Sequence, residues 1–420
     1  MNAVFERPSP WLRVQRVFAG IDGPLLLAIT LLATIGLLTM YSAGYDHGTR
    51  FVDHGRNMLI ALVVLFVVAQ VPPQKLERLA VPLYLAGLAL LVATALFGLT
   101  RKGATRGLAL GPLVIQPSEI LKIAMPLMLA WWFQKREGQL RVSDFAVAAG
   151  LLLVPVALVV KQPDLGTALL ILASGVYVMF FAGLSWKLVL PVLALGAVAV
   201  GAVVITADDI CAAGVRWPFL RDYQQNRVCT LLDPTKDPLG KGFHIIQGMI
   251  AIGSGGLSGK GFMQGTQTHL EFIPERTTDF IFAAFSEEFG LTGVLALLFS
   301  FTFLIFRGLM IAAEAPTVFT RLLAGAVTLS FFTYAFVNMG MVSGILPVVG
   351  VPLPFVSYGG TAMVTLGLGL GILMSVARSR RLMQSYAAGR CRVRATAPTV
   401  PTVPTRPAAQ PSRAAQHPQA

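Results

Sequence analysis

The chain has 420 residues, of which 55% are hydrophobic and 13% charged, with a formal net charge of +13. Soluble domains carry nearer a quarter charged residues, so this balance excludes an ordinary soluble globular protein. The excess of Lys and Arg has no interleaved aromatic stripe, which argues against a nucleic-acid partner and for basic ends of membrane spans.

The N-terminal residues 1–23 are polar and the first apolar run is long, with no small-residue cleavage site after it, so it reads as a retained span. Ten apolar segments follow in chain order: 24–43, 57–71, 79–99, 117–133, 144–160, 165–183, 188–206, 279–306, 321–340 and 360–377. The runs are continuous rather than alternating, which predicts an all-α polytopic membrane protein and not a β-barrel. With ten spans both termini share a side. Nineteen Lys and Arg fall on that side and six on the short loops of the other, which predicts cytoplasmic termini.

This places residues 207–278 outside, as one large loop between spans seven and eight. Two of the three cysteines, Cys211 and Cys229, lie in it. They are predicted to form a disulfide in an oxidising compartment, against the plainer reading of two buried thiols. Residues 384–420, rich in Pro, Ala and Thr, are expected to be a disordered cytoplasmic tail after a membrane domain of 24–383.

Charges inside spans mark functional candidates. In "QPSEILK" (116–122) Pro117 suits a helix start, and Glu119 and Lys122 share a face. They form either a polar cavity wall or a self-satisfied ion pair. In "KQPDLGT" (161–167) Pro163 and Gly166 break the helix and Asp164 can cap the next one, so a cavity wall lies nearby. In "IPERTTDFIFAAFSEEFG" (273–290) Thr277 or Thr278 is expected to cap the eighth span with Asp279 in its first turn, a position that suits either a helix-capping acid or a base. Helical phase puts Asp279, Ala283 and Ser286 on one face and turns Glu287 and Glu288 away towards packing or a partner helix. "GSGGLSGKG" (253–261) fails the P-loop pattern, because Ser254 and Gly261 stand where Gly and Ser/Thr are needed. "GILPVVGVPLPFVSYGG" (344–360), with three Pro and four Gly, is predicted to be a structured external turn walling the same cavity, and "GLGLG" (367–371) to allow close helix approach.

These blocks, taken in order with "GATRG", "YQQNRV" and "DPLGKGFHIIQGMIAIGSGGLSGKGFMQGTQTHLEF", resemble the SEDS (shape, elongation, division, sporulation) family over roughly residues 20 to 383, nearer its RodA branch than its FtsW branch. The resemblance implies ten spans and a peptidoglycan glycosyltransferase that polymerises lipid II during cell elongation, with a class B penicillin-binding protein as partner. It implies Asp279 as the essential acid, with Arg106 and the pair Glu119 and Lys122 at the substrate. Three departures stand out: Thr277 replaces the usual His, Gly107 a Trp, and Gly248 a Ser. The α-linked donor and β-1,4 product require inversion, hence one base, Asp279, and positive charge for the departing diphosphate. Arg106 and Lys122 are the favoured cations, then Lys260 and Arg276, with Asp164 on the cavity wall and a divalent cation as a candidate cofactor. The competing readings are a lipid II flippase and a non-catalytic scaffold for the penicillin-binding protein.

Overall fold

A computed structural model describes residues 20–46, 48–101, 104–110, 113–212, 215, 217, 222–236, 240–270, 272–273 and 275–395. The chain divides into a unit Met1–Arg381 and a short unit Leu382–Ala420, whose described part, to Ala395, is helical. The rest of the predicted tail lies outside the described residues.

Helices stand at all ten predicted spans: α1 (Gly23–Ala43), α2 (Arg50–Ala69), α3 (Pro73–Phe97), α4 (Pro117–Gln134), α5 (Val142–Lys161), α6 (Leu165–Phe181), α7 (Trp186–Ile205), α12 (Ile281–Ala313), α13 (Val318–Val342) and α14 (Gly360–Ala395). Eight are long and apolar enough to cross a membrane; α6 is apolar but has 17 residues. α4 falls outside the eight because Glu119 and Lys122 interrupt its first turns. Between α7 and α12 the chain folds into α8 (Ala207–Ile210), α9 (Asp222–Leu232), a short 3-10 turn, α10 (Lys241–Gly255) and α11 (Thr266–His269). Cys211 and Cys229 are disulfide-bonded there, with Cα atoms 5.6 Å apart.

Three expectations change. Span two begins at Arg50, about two turns before its apolar run, because the helix continues through the polar residues Arg50, Asp53 and Arg56. Residues 99–115, expected as plain loop, form a three-stranded antiparallel meander, β1 (Leu99–Arg101), β2 (Ala104–Leu110) and β3 (Leu113–Ile115). Strands of three, seven and three residues are too short for alternation to announce them. Finally, α12 starts at Ile281 with Phe280 at its N-cap, so Asp279 lies in the preceding turn and not in the helix.

In the interior α4, α6 and α13 pack on one another and α12 packs on α13, with α1 against α12 and α3 against α4. α14 closes on α2 through glycines, as "GLGLG" predicted: a Cβ on Gly367 would lie 2.4 Å from the Ala61 carbonyl oxygen. α7 stands apart, with no buried residue.

Candidate functional site

The site is assembled around a turn, residues 275–280, that the surrounding elements hold at nearly every peptide. Arg276 is buried, and its Nε donates to the Ala43 carbonyl at 3.0 Å while its guanidinium pairs with Asp46, at the end of α1. Thr277 accepts at Oγ1 from Arg50 and at its carbonyl from the Tyr358 amide, 2.8 Å. Ser357 Oγ donates to the Thr278 carbonyl at 2.7 Å. Asn338 Nδ2, from α13, donates to the Asp279 carbonyl at 3.0 Å and to the Val351 carbonyl at 2.7 Å. Pinning successive carbonyls leaves the Asp279 backbone little freedom, which is how a loop can carry a side chain that must be placed accurately.

The other wall is the segment between α13 and α14. Its three prolines prevent helix, and Gly350 (φ +76°) and Phe355 (φ +63°) turn the chain in the left-handed region. Gly350 meets the acid itself: a Cβ there would sit 3.4 Å from Asp279 Oδ2. One residue earlier, the Val349 carbonyl presses on α6, where a Cβ on Gly166 would come within 2.7 Å of it. Residues 349 and 350 therefore tie the start of α6 to Asp279.

At the start of α6, Asp164 caps the helix, accepting from the Thr167 amide at 3.3 Å, and also accepts from Gln116 Nε2 at 3.3 Å. Gln116 precedes α4, and one turn on Lys122 pairs with Glu119 at 2.6 Å. Thr365 of α14 donates to the other Glu119 oxygen at 3.0 Å, and Lys122 lies over the Tyr334 ring, 5.5 Å from its centroid. Lys122, Tyr334 and Thr365 line a small cavity of about 30 Å³ among apolar side chains of α4, α6, α13 and α14. The ion-pair reading of Glu119 and Lys122 is what the structure shows, and the cavity beside the pair has room for about one water molecule.

The sequence candidates divide. Asp279, Asp164, Glu119 and Lys122 are joined through the 344–360 segment and Gln116. Arg276 is committed to Asp46 beside them. Lys260 lies elsewhere, 2.7 Å from Glu287 of α12, and also donates to Thr266. Arg106 is in β2, and its side chain is outside the description. Glu287 and Glu288 turn to neighbouring helices, as expected: Glu287 accepts from Lys260 and from Thr266, Gln267 and Thr268 of α11, and Glu288 accepts from Ser42 of α1. The helical-phase argument fails at its start, because Asp279 precedes the helix, but holds at the two acids, which lie in regular helix before the break at Gly290 (φ 61°, ψ −160°). Arg50, Asn338 and Gly350 escaped the sequence reading. Gly350 had a signal, a glycine inside a proline-rich turn, while Arg50 and Asn338 reveal themselves only by contacts across tens to hundreds of residues.

Residues 24–382 match the FtsW/RodA/SpoVE family, described as a cell cycle protein family. The chain is 48% identical over 365 residues to the peptidoglycan glycosyltransferase MrdB of Escherichia coli K12, covering 86% of this chain and 95% of that protein. It is 31% identical to the peptidoglycan glycosyltransferase RodA of Treponema pallidum, covering 84% and 97%. Among solved structures it is similar to a chain of a peptidoglycan synthase complex solved for the coordination of polymerization and crosslinking (TM-score 0.71, 33% identity, 86% and 98% covered). It is also similar to the rod shape determining protein RodA of Thermus thermophilus (TM-score 0.63, 28% identity, 86% and 97% covered). Ten apolar helices, the pinned Asp279 turn and these matches lead to one conclusion: the chain belongs to the FtsW/RodA/SpoVE family.

Proposed function

We propose that this chain, a peptidoglycan glycosyltransferase of the cell-elongation type, polymerises lipid II by an inverting displacement with Asp279 as general base. The observation that carries this reading is the acid's setting: its backbone is fixed by Asn338, Ser357 and Tyr358 through successive carbonyls, and its carboxylate is set against Gly350. A fixed carboxylate can take the proton of an acceptor hydroxyl as the hydroxyl oxygen bonds the anomeric carbon. The bond to the diphosphate breaks with its electron pair moving to the leaving oxygen. One base suffices for inversion, which agrees with Glu287 and Glu288 being occupied elsewhere.

The reading extends to the setting. Lipid II is the substrate that matches the chemistry, and the similarity to a chain of a polymerising and crosslinking complex supports a class B penicillin-binding protein as partner. Both termini are assigned to the cytoplasmic side of the inner membrane, which puts Asp279 on the outer face. Among the described residues no group of three His, Cys, Asp or Glu side chains converges as a metal cage would.

The test is purified protein with its partner on lipid II in detergent, where no membrane remains to be crossed. Asp279→Asn should lower polymerisation by about 10²- to 10⁴-fold with thermal stability and partner binding kept. Near-normal polymer from Asp279→Asn would refute the assignment, and no polymer from the unaltered protein would favour a flippase or scaffold.

A further inference from the structure

The departing diphosphate needs positive charge, and most of the cations read from the sequence are already neutralised. Lys122 holds Glu119, Lys260 holds Glu287 and Arg276 holds Asp46. A cation that pairs with a carboxylate can bind another anion only by sharing or breaking that pair. Arg50, the first residue of α2, differs. It is half-buried, donates to the neutral Thr277 hydroxyl and lies over the Tyr358 ring, 5.6 Å from its centroid. Among the described residues it has no carboxylate partner.

Guanidinium carries five N–H donors, and Thr277 uses one. Burying part of an unneutralised cation is unfavourable, and a hydroxyl with an aromatic face offsets only part of that. The arrangement is complete only with an anion. Its place suits the chemistry: Thr277, which holds Arg50, is in the same turn as Asp279 and two residues from it, so at most about 7 Å of chain separates them.

We propose that Arg50, held by Thr277 and Tyr358, is a binding residue for the diphosphate of the polyprenyl-linked glycosyl donor. The proposal rests on the reading of Asp279 as base and adds the opposite end of the same displacement. As the anomeric C–O bond breaks, its electron pair passes to a diphosphate oxygen, and the charge gained there is met by the Arg50 fork, while Asp279 takes the acceptor proton. Thr277, which stands where the family usually has His, is in this view the hydroxyl that orients Arg50.

The experiment measures equilibrium binding of undecaprenyl diphosphate, against undecaprenol, to the purified full chain in detergent, with no turnover needed. Arg50→Ala should bind the diphosphate roughly 10- to 100-fold more weakly. Arg50→Lys should recover part of that loss, since it keeps the charge and loses the fork. Undecaprenol binding should be unchanged. If Arg50→Ala lowers thermal stability, Arg50→Gln, which keeps a donor for Thr277, should show the same loss. Wild-type diphosphate affinity in a folded Arg50 variant would overturn the proposal, as would equal displacement of the diphosphate by phosphatidylglycerol, which would assign Arg50 to bilayer phosphates. Asp279→Asn should keep diphosphate binding while losing polymerisation, so a failure of the base assignment and a failure of Arg50 give different results.

Discussion

Glu287→Gln tests the role of the acid that organises the loop between α7 and α12. Glu287 is fully buried, and its two oxygens take Lys260 Nζ at 2.7 Å, the Gln267 amide at 2.8 Å, and the Thr268 amide and hydroxyl at 3.1 and 3.0 Å. Glutamine fits the space, but its NH2 must face donors wherever it points, and Lys260 loses its counter-charge. Breaking one side of a buried pair costs about 3–5 kcal/mol, and because Gln keeps one acceptor oxygen we take about 3 kcal/mol. That cost falls on one segment, since the Lys260 and Gly261 amides also donate to the Glu287 and Glu288 carbonyls at 3.0 Å. The open population of residues 257–270 should rise on the order of 100-fold, read by hydrogen exchange at the amides of Lys260, Gly261, Gln267 and Thr268. Lys260→Met alone should reproduce part of the effect, and the double variant should cost at least about 1 kcal/mol less than the sum. Unchanged exchange in Glu287→Gln, or strict additivity with Lys260→Met, would refute the reasoning and return Lys260 to the pool of substrate cations.

Gly350→Ala puts a Cβ at φ +76° and 3.4 Å from Asp279 Oδ2, so stability should fall by about 1–2 kcal/mol while polymerisation falls further, seen as a lower kcat in a folded protein. Removing the Cys211–Cys229 link, which spans 18 residues, should cost about 3 kcal/mol, and without reductant only Cys391 should react with a thiol reagent. Asp22, which caps α1 just outside its span, is buried. Burial alone would raise its pKa, yet the hydrogen bond from Arg307, with the Leu25 amide and the charges of Arg307 and Arg381, holds it below 3.8. Its contribution is therefore present above pH 3.8 and lost as pH falls through the lowered value. Asp22→Asn should destabilise the protein at neutral pH and flatten that acid limb in a detergent thermal melt.

The parts of the fold that depend on hydropathy were legible in the sequence, because a span must be long and apolar whatever its neighbours do. The ten segments were placed correctly, and the errors lie at ends where polar residues continue a helix, as Arg50 does for α2. The start of α12 was misplaced for a different reason. Thr277 and Thr278 look like helix caps, but both hydroxyls are engaged otherwise: Thr277 Oγ1 accepts from Arg50, distant in sequence, and Thr278 Oγ1 donates to the Glu275 carboxylate at 2.7 Å, three residues back. At Thr277 the capping preference lost to a tertiary hydrogen bond, which no local window contains, and at Thr278 to a local one. The face assigned to Asp279 by helical phase went with it.

The same limit governs charge. Lys122, Lys260 and Arg276 look alike in the sequence, each a cation beside a suggestive motif. Lys122 finds its acid three residues away, a pairing the helix period announced. Lys260 finds Glu287 27 residues on, and Arg276 finds Asp46 230 residues back. What separates a structural cation from one that can take a ligand is whether a carboxylate already neutralises it, and that depends on the fold. Arg50 carried no motif, yet it is the cation beside the Asp279 turn that the described carboxylates leave to a hydroxyl and an aromatic ring. A charge that the protein half-buries without its own counter-ion is a better pointer to an anionic substrate than a charge in a recognisable motif, because the motif can be satisfied by the protein itself.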